Sequence, residues 1–151
     1  MSRRTAGPPW LAVLLAFIFA FLPGPAAAGG GVILADEGFV RAQAGELTII
    51  DVRSPAEWRQ TGVAVGARRA TIHDPRGWVG FLAEVEAIVG EDRNKPIAMI
   101  CARGGRSAAT TAYLREQGFT SVFNIGEGML GGDGKPGWIA RGLPVEPCDD
   151  C

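Results

Sequence analysis

The sequence predicts an α/β fold: an open, mostly parallel sheet with helices on both faces. From Gly30 onward, short apolar runs alternate with segments of helical period, which is the pattern of parallel strands joined by helices. The runs at 47–52 and 97–101 are close to continuously apolar, as expected for strands buried on both faces. The chain has only three cysteines, so an apolar core and not a disulfide framework must hold the fold.

Five strands are expected from the short apolar segments. They lie at residues 32–34, 47–52, 70–72, 97–101 and 121–125. The segment 54–57 (SPAE) directly after the second strand is a capping box with proline at the first helical position. We therefore expect a helix to begin immediately after that strand.

Three more helices complete the predicted order. Apolar residues from Trp78 to Val89 fall on one helical face, with Gly90 placed to end the helix and Asp74-Pro75 placed as its cap and first residue. The segment 107–117 ends at Gly118 in the same way, and 138–141 forms a short helix closed by Gly142 and Pro144. The single histidine, His73, precedes the predicted cap, so we expect it at the surface or in the cap and not in catalysis.

Residues 1–28 have the pattern of an export signal. Arg3 and Arg4 are followed by an apolar run at 10–22 and then by small residues, which predicts cleavage after Ala28. As a helix the apolar run spans roughly 20 Å against a hydrocarbon core of about 30 Å, so an uncleaved anchor is the weaker alternative. We expect the mature protein to be exported to the periplasm, without stable membrane association.

The rest of the chain is long enough for one domain and too short for two. The whole chain has a net charge of −1, and the charge without residues 1–28, which hold two arginines and no acid, is −3. This balance gives no reason to expect nucleic acid as a partner, and no motif predicts a metal ion or cofactor. Trp58, Trp78 and Trp138 are expected in the core, with a position lining the mouth of the site as the alternative for one of them.

The segment 101–107 (CARGGRS) carries the candidate chemistry. Cys101 ends a buried strand, and in an open α/β sheet the ligand crevice lies beyond the carboxyl ends of the strands. The two glycines let successive N–H groups point inward as an anion-binding nest, and the following helix adds its positive end. Close to two arginines, this nest favours the thiolate that a nucleophile requires. The alternative is a buried, inert cysteine beside an ordinary turn, which does not explain why these parts occur together.

With these residues the sequence resembles the rhodanese homology domain over residues 29–147. Four motifs carry the resemblance in order: IIDVRSPAEW from Ile49, GVAVGA from Gly62, CARGGRS from Cys101 and GWIARGLPV from Gly137. The spacing from Cys101 to Arg106 is the Cys-x4-Arg of rhodaneses, one residue shorter than the loop of the related cell-cycle phosphatases. The shorter loop favours sulfur over phosphate.

The resemblance implies a sulfurtransferase that works in two half-reactions. The Cys101 thiolate takes a sulfane sulfur from a small donor such as thiosulfate, and the persulfide passes it to cyanide or to a thiol, which can be a protein thiol. A non-catalytic sulfur-carrier or partner-binding module is the main alternative, and a phosphatase or arsenate-type enzyme is the weaker one.

The resemblance also assigns roles around Cys101. The predicted substrate-binding residues are Ala102, Arg103, Gly104, Gly105, Arg106 and Ser107. Their amides would stabilise the persulfide, and the two arginines would hold the donor's oxyanion unless Arg106 instead braces the loop. Asp51 and Arg53 would support the site beneath the loop. Glu57 is a further candidate for this network, although its capping box already explains it and is the preferred interpretation.

One motif departs from the family pattern. Where the family usually has Gly-His-Ile-Pro-Gly-Ala, this chain has GVAVGA at 62–67, so the histidine and proline are missing and both turn glycines remain. We expect this change to alter local packing and not the activity.

Cys148 and Cys151 form a separate CxxC tail at 148–151. Two thiols alone cannot make a structural zinc site, and the prolines at 144 and 147 disfavour the helix that a redox CxxC normally opens. Two interpretations stay open at this point. One is a flexible tail with a local disulfide, and the other is a redox pair that takes sulfur from Cys101 or resolves its persulfide.

Overall fold

A computed structural model describes residues 29–151 of the chain, so the expected signal at 1–28 lies outside the described residues. The main sheet has five parallel strands, in the spatial order β1 (Val32–Ile33), β6 (Val122–Ile125), β5 (Ile97–Ile100), β2 (Thr48–Asp51) and β4 (Arg68–Arg69). The predicted α/β fold with a mostly parallel sheet is confirmed.

The helices lie on both faces of this sheet. They are α1 (Ala35–Gln43), α2 (Pro55–Thr61), α3 (Trp78–Val89) and α4 (Gly105–Glu116). Successive residues of a strand point to opposite faces, so the two central strands contribute to two separate cores. Ile50 and Met99 pack with Phe81 of α3, while Ile49 and Ile100 pack on the other face with Ala35 of α1. Within residues 29–151, no helix has the length and apolarity to cross a membrane.

Helix α2 begins where the capping box predicts. The Ser54 hydroxyl accepts a hydrogen bond from the Glu57 amide at 3.3 Å, and the Glu57 carboxylate accepts one from the Ser54 amide at 3.0 Å. Trp58 of this helix is buried as expected, but Trp78 is 43% exposed, so its core assignment was wrong. Trp78 lies at the start of α3 and packs its ring against Tyr113 at the surface, with ring centroids 4.5 Å apart.

The edge strand β4 lies two residues earlier than predicted. The amides of Ala70 and Ile72 still donate to the carbonyls of Asp51 and Val52, each at 3.1 Å, but the paired strand itself is two arginines. Both arginines are exposed at the sheet edge, where charged side chains are common. A strand of this composition lacks the apolar signal on which the prediction depended.

Two helices start at residues other than those predicted. Asp74 was expected to cap α3, but its carboxylate accepts from the amide of Arg76 at 2.7 Å and from its guanidinium at 2.6 Å, and α3 begins after Gly77. Helix α4 begins at Gly105 and not at 107, because the left-handed Gly104 before it turns the chain straight into the helix.

The C-terminal segment forms hydrogen-bonded turns at 138–142 and not the predicted helix. Trp138 is completely buried, as expected, and its indole N–H donates to the Pro144 carbonyl at 2.9 Å. Two further strands, β3 (Val63–Ala64) and β7 (Val145–Glu146), then pair antiparallel. We call this two-stranded sheet the terminal ribbon. The prediction missed it because each of these short strands lies outside a longer apolar run and forms by pairing with the other, far away in the chain.

Candidate active site

Cys101 directly follows the central strand β5, every residue of which is buried. Its side chain belongs to the core between the sheet, α3 and α4, and the residue is only 1% exposed. It is the single free cysteine among the described residues. The strand therefore places one buried thiol at the carboxyl edge of the sheet, where ligands bind in open α/β folds.

The loop after Cys101 directs hydrogen-bond donors at the sulfur. The Gly104 amide donates to Cys101 Sγ at 3.1 Å, and the Ser107 hydroxyl lies 3.3 Å from the same atom. Ser107 is also 3.0 Å from the Gly104 carbonyl, so its hydroxyl fixes the turn as well as facing the sulfur. Both donors lie at the start of α4, where the helix dipole also favours a negative sulfur.

A second loop, at residues 126–131, packs against the first and was not predicted as part of the site. The carbonyls of Cys101 and Ala102 accept hydrogen bonds from the amides of Met129 and Leu130, each at 2.8 Å. Since these bonds join main chains, the second loop determines the path of the Cys101 loop whatever side chains Met129 and Leu130 carry.

Glycines allow the two loops to approach this closely. Gly104 has a φ of 88°, and a Cβ on it would lie 2.0 Å from the Gly126 carbonyl oxygen. Gly128 has a φ of 65°, and a Cβ there would lie 2.5 Å from the Ala102 carbonyl oxygen. Any other residue at either position would force the loops apart. The GxG at 126–128 was the sequence signal available for this second loop.

Glu127 holds the second loop to the rest of the domain. Its carboxylate accepts from the Ala35 amide at the start of α1 at 3.0 Å and pairs with the Arg141 guanidinium. Burial raises the pKa of this carboxyl, but the Ala35 amide and the Arg141 charge outweigh burial, so the pKa lies below its ordinary value. Glu127 is therefore an ionised anchor between the loop, α1 and the C-terminal turns.

Arg106 pairs with Glu57 across the mouth of the loop. Its guanidinium donates to both carboxylate oxygens, at 2.5 and 2.7 Å, and the exposed His73 lies 3.4 Å from it. These bonds lower the pKa of Glu57 from 4.5 to about 2. Glu57, for which the sequence favoured capping over a role in the supporting network, caps α2 and also binds Arg106. The pairing places Arg106 where it can brace the loop, the second of its two predicted roles, and both roles stay predictions.

Arg103 is exposed, and its guanidinium donates to the Gly131 carbonyl at 3.0 Å. It thereby links the Cys101 loop to the end of the second loop. Ala102 is partly buried and Gly105 is exposed. Unlike Arg106, Arg103 has no acidic partner among the described residues, so its charge is available at the surface of the site.

The Asp51–Arg53 pair is buried at the end of β2, with a closest N–O distance of 2.7 Å. Arg53 also donates to the Thr61 hydroxyl and to the Gly62 carbonyl, each at 2.7 Å. These bonds tie the sheet to the end of α2, so the pair supports the element that carries Glu57. Gly62 and Gly66 both have positive φ, as expected for the retained turn glycines.

The CxxC tail is a local disulfide between Cys148 and Cys151. Cys148 is 5% exposed and packs on Trp58 and Val63, so the tail is docked on the domain and is not free. The guanidinium of Arg69 contacts both sulfur atoms. The Asp150 carboxylate lies close enough to both sulfurs for the three groups to bind one metal ion, but two sulfurs joined in a disulfide provide no thiolate ligands.

Comparisons with known proteins agree with this geometry. The rhodanese-like domain family matches residues 36–133. The chain is 32% identical over 82 residues to a tRNA uridine(34) hydroxylase of Legionella pneumophila, and this match covers 54% of the chain and 31% of that protein's length. It is 36% identical over 66 residues to a thiosulfate sulfurtransferase of Actinobacillus pleuropneumoniae, covering 44% of the chain and 50% of that protein.

A solved structure extends the similarity over more of the chain. The polysulfide-sulfur transferase homodimer of Wolinella succinogenes superposes with a TM-score of 0.60 at 25% identity, covering 83% of this chain and 84% of that one. The residues matched by the family, 36–133, include both loops around Cys101.

Proposed function

This chain belongs to the rhodanese-like domain family, and from that premise we propose that it is a sulfurtransferase that carries sulfur as a persulfide on Cys101. The observation that carries the proposal is the Gly104 amide directed at Cys101 Sγ at 3.1 Å, at the positive end of α4. A fixed amide and a helix N-terminus stabilise negative charge on sulfur without reorganisation. The names of the Actinobacillus and Wolinella relatives support the same class of reaction.

The first half-reaction uses a sulfane-sulfur donor, which we propose to be thiosulfate or a compound of its class. The Cys101 thiolate attacks the outer sulfur, the S–S bond of thiosulfate breaks, and sulfite leaves with the electron pair. Sγ and the transferred sulfur then form the persulfide, whose charge lies on the outer atom. The Gly104 amide and the Ser107 hydroxyl are the hydrogen-bond donors nearest to Cys101 Sγ, the inner sulfur of the persulfide.

In the second half-reaction a nucleophile, cyanide or a thiolate, attacks the outer sulfur and Cys101 leaves as a thiolate. The same donors stabilise that thiolate, so one set of hydrogen bonds serves both steps. We assign the donor's sulfonate group to Arg103, because its charge is uncompensated while that of Arg106 is paired with Glu57. Arg106 then acts by positioning the loop.

The covered thiol sets a requirement on the substrate. Cys101 is 1% exposed, so only a small or narrow donor can bring its sulfur to Sγ unless the loop opens. Thiosulfate and cyanide satisfy this requirement. A protein thiol as acceptor would have to present an extended, unhindered cysteine.

The test is turnover with thiosulfate and cyanide, together with mass spectrometry of the protein after thiosulfate alone. We expect a mass gain of one sulfur atom on Cys101, its loss on addition of cyanide, and neither event in Cys101→Ser. The double variant Cys148→Ser/Cys151→Ser is the matched control and should still form the persulfide. Absence of sulfuration in the wild-type protein would overturn the proposal, and hydrolysis of an aryl phosphate that depends on Cys101 would replace it with the phosphatase alternative.

We further propose that the protein acts after export, in the periplasm. The support is the pattern of residues 1–28 together with the disulfide of the tail, since disulfides persist in oxidising compartments. The test is N-terminal sequencing of protein recovered from a periplasmic extract. A mature terminus at Gly29 is expected, and full-length protein retained in the cytoplasm would contradict the proposal.

A further inference from the structure

We propose that Cys148 and Cys151 form a thiol–disulfide exchange site, separate from Cys101, that accepts two electrons from a dithiol partner. The first observation is electrostatic. The guanidinium of Arg69 contacts both sulfur atoms, so a fixed positive charge lies where two thiolates form on reduction. A nearby cation stabilises thiolates and makes their disulfide easier to reduce. Asp150 approaches Arg69 at 4.0 Å, but its side chain is 92% exposed, so solvent screens its opposing charge.

The two sulfurs have unequal surroundings. Cys148 is 5% exposed and packs on Trp58 and Val63, whereas Cys151 is only partly buried against the same cluster. Because Cys151 is the less buried residue, we assign its Sγ as the sulfur that an incoming thiolate attacks. Cys148 is the leaving group, and its charge forms beside Arg69 in a position that the fold already holds.

The Cys148–Cys151 disulfide contributes little to holding the fold together. The cysteines are three positions apart, and both follow the terminal ribbon, so the disulfide joins no two elements of the fold. A loop this short also restricts the unfolded chain less than a long one does. The burial of Cys148 against Trp58 already docks the tail without the bond.

Space for a partner lies beside the disulfide. An open pocket of about 400 Å³ is lined by Arg68, Arg69, Glu146, Pro147, Cys148 and Asp150, among others. Its polar and charged lining is suited to the main chain and polar side chains around a partner's cysteine pair. Cys101 lies elsewhere, in the core under α3 and α4, so the proposal does not require sulfur to pass between Cys101 and the tail within one chain.

The reaction has two balanced steps. The partner's first thiolate attacks Cys151 Sγ, the Cys148–Cys151 bond breaks, and Cys148 leaves as a thiolate beside Arg69. The partner's second thiolate then attacks its own sulfur in the mixed disulfide, and Cys151 leaves as a thiolate. The partner is oxidised by two electrons to a disulfide, and the tail gains those electrons and, after protonation, two thiols.

The test compares the redox equilibrium of the tail with that of a blocked peptide of residues 147–151, using dithiothreitol as the dithiol probe. Mass spectrometry after acid quench and alkylation measures the reduced fraction in the Cys101→Ser background, so the result is independent of the sulfurtransferase proposal. If Arg69 stabilises the reduced pair, we expect the protein's disulfide to be about tenfold easier to reduce than the peptide's. If the protein's disulfide is harder to reduce than the peptide's, the bond has a structural role and the proposal is overturned.

Two variants locate the effect. Arg69→Gln should bring the protein's reduction equilibrium close to that of the peptide, whereas Arg41→Gln, which removes the same charge from α1 and not from the pocket lining, should leave it unchanged. An equal effect of both substitutions would also overturn the proposal. The single variant Cys148→Ser should form a mixed disulfide with oxidised glutathione at least several-fold faster than Cys151→Ser does, because Cys151 is the less buried residue. The opposite order would contradict the assigned direction of attack.

Discussion

The two sulfur-bearing regions of this protein are stabilised by different parts of the chain. Around Cys101, main-chain amides and carbonyls of two loops fix the geometry, and glycines at 104 and 128 allow the loops to approach. Around Cys148 and Cys151, side chains form the environment: the Arg69 guanidinium contacts both sulfurs, and Cys148 packs on Trp58 and Val63. The chain leading there is a ribbon of two-residue strands. The Cys101 site, which main-chain contacts hold in place, should therefore be sensitive to replacement of its glycines. The tail disulfide, which side chains surround, should be sensitive to removal of the Arg69 charge.

The largest expected effect is at the Cys101 site, whose geometry depends on main-chain contacts. Gly104→Ala combines a φ of 88° with a Cβ 2.0 Å from the Gly126 carbonyl oxygen, so we expect the free energy of unfolding to fall by about 2–4 kcal/mol. Turnover at Cys101 should fall with it, since the Gly104 amide moves away from the sulfur. Urea unfolding and the thiosulfate–cyanide assay measure the two effects.

Gly66→Ala is the matched control for that substitution. Gly66 has a φ of 78°, but an added Cβ there would meet nothing within 4 Å, so only the backbone strain of about 1 kcal/mol remains. If both variants lose the same stability, the close contact between the loops is not what requires glycine at 104.

A smaller effect is expected from the ion pair that braces the Cys101 loop. The pKa of Glu57 is about 2 in the folded protein against an ordinary 4.5, so its contribution to stability is complete above about pH 4.5 and is lost as the pH falls toward 2. We expect Glu57→Gln to lower the free energy of unfolding by on the order of 1–2 kcal/mol at neutral pH and by little near pH 2.

The control for this pH dependence is Glu37→Gln. Glu37 pairs with Arg41 on α1, but its side chain is 50% exposed, so its removal should change stability by only about 0.5 kcal/mol. Denaturant titrations at several pH values would separate the two variants. A Glu57→Gln variant whose loss of stability is the same at every pH would show that the capping box, and not the charge on Glu57, accounts for the effect.

The smallest effect on turnover at Cys101 is expected from the tail. Replacing both Cys148 and Cys151 by alanine removes a bond that closes a loop of very few residues, so the unfolding free energy should fall by about 2 kcal/mol or less. Turnover at Cys101 should not change, because the tail lies in a different buried cluster. A loss of Cys101 turnover in a folded double variant would show that the two regions are coupled. It would contradict the conclusion that they are independent sites.

The parts of the fold predicted from sequence are those with local signals. The apolar runs that became β2 and β5, the capping box at Ser54 and the glycine that ends α3 were recognisable because neighbouring residues alone determine them. Elements determined by distant partners were missed or displaced. The edge strand β4 and the two strands of the terminal ribbon are examples, since each has only two residues and depends on its pairing partner.

The sequence alone determined that a single cysteine would end a central strand ahead of a glycine-rich turn and a helix, because strand, turn and helix signals are all contained in residues 97–117. Only the tertiary structure decided what surrounds that cysteine. The 126–131 loop that holds its carbonyls, the Glu57 that pairs with Arg106 and the Arg69 that contacts the tail sulfurs each lie far along the chain from their partners. Contacts of that kind depend on how elements pack, and no local pattern of residues encodes them.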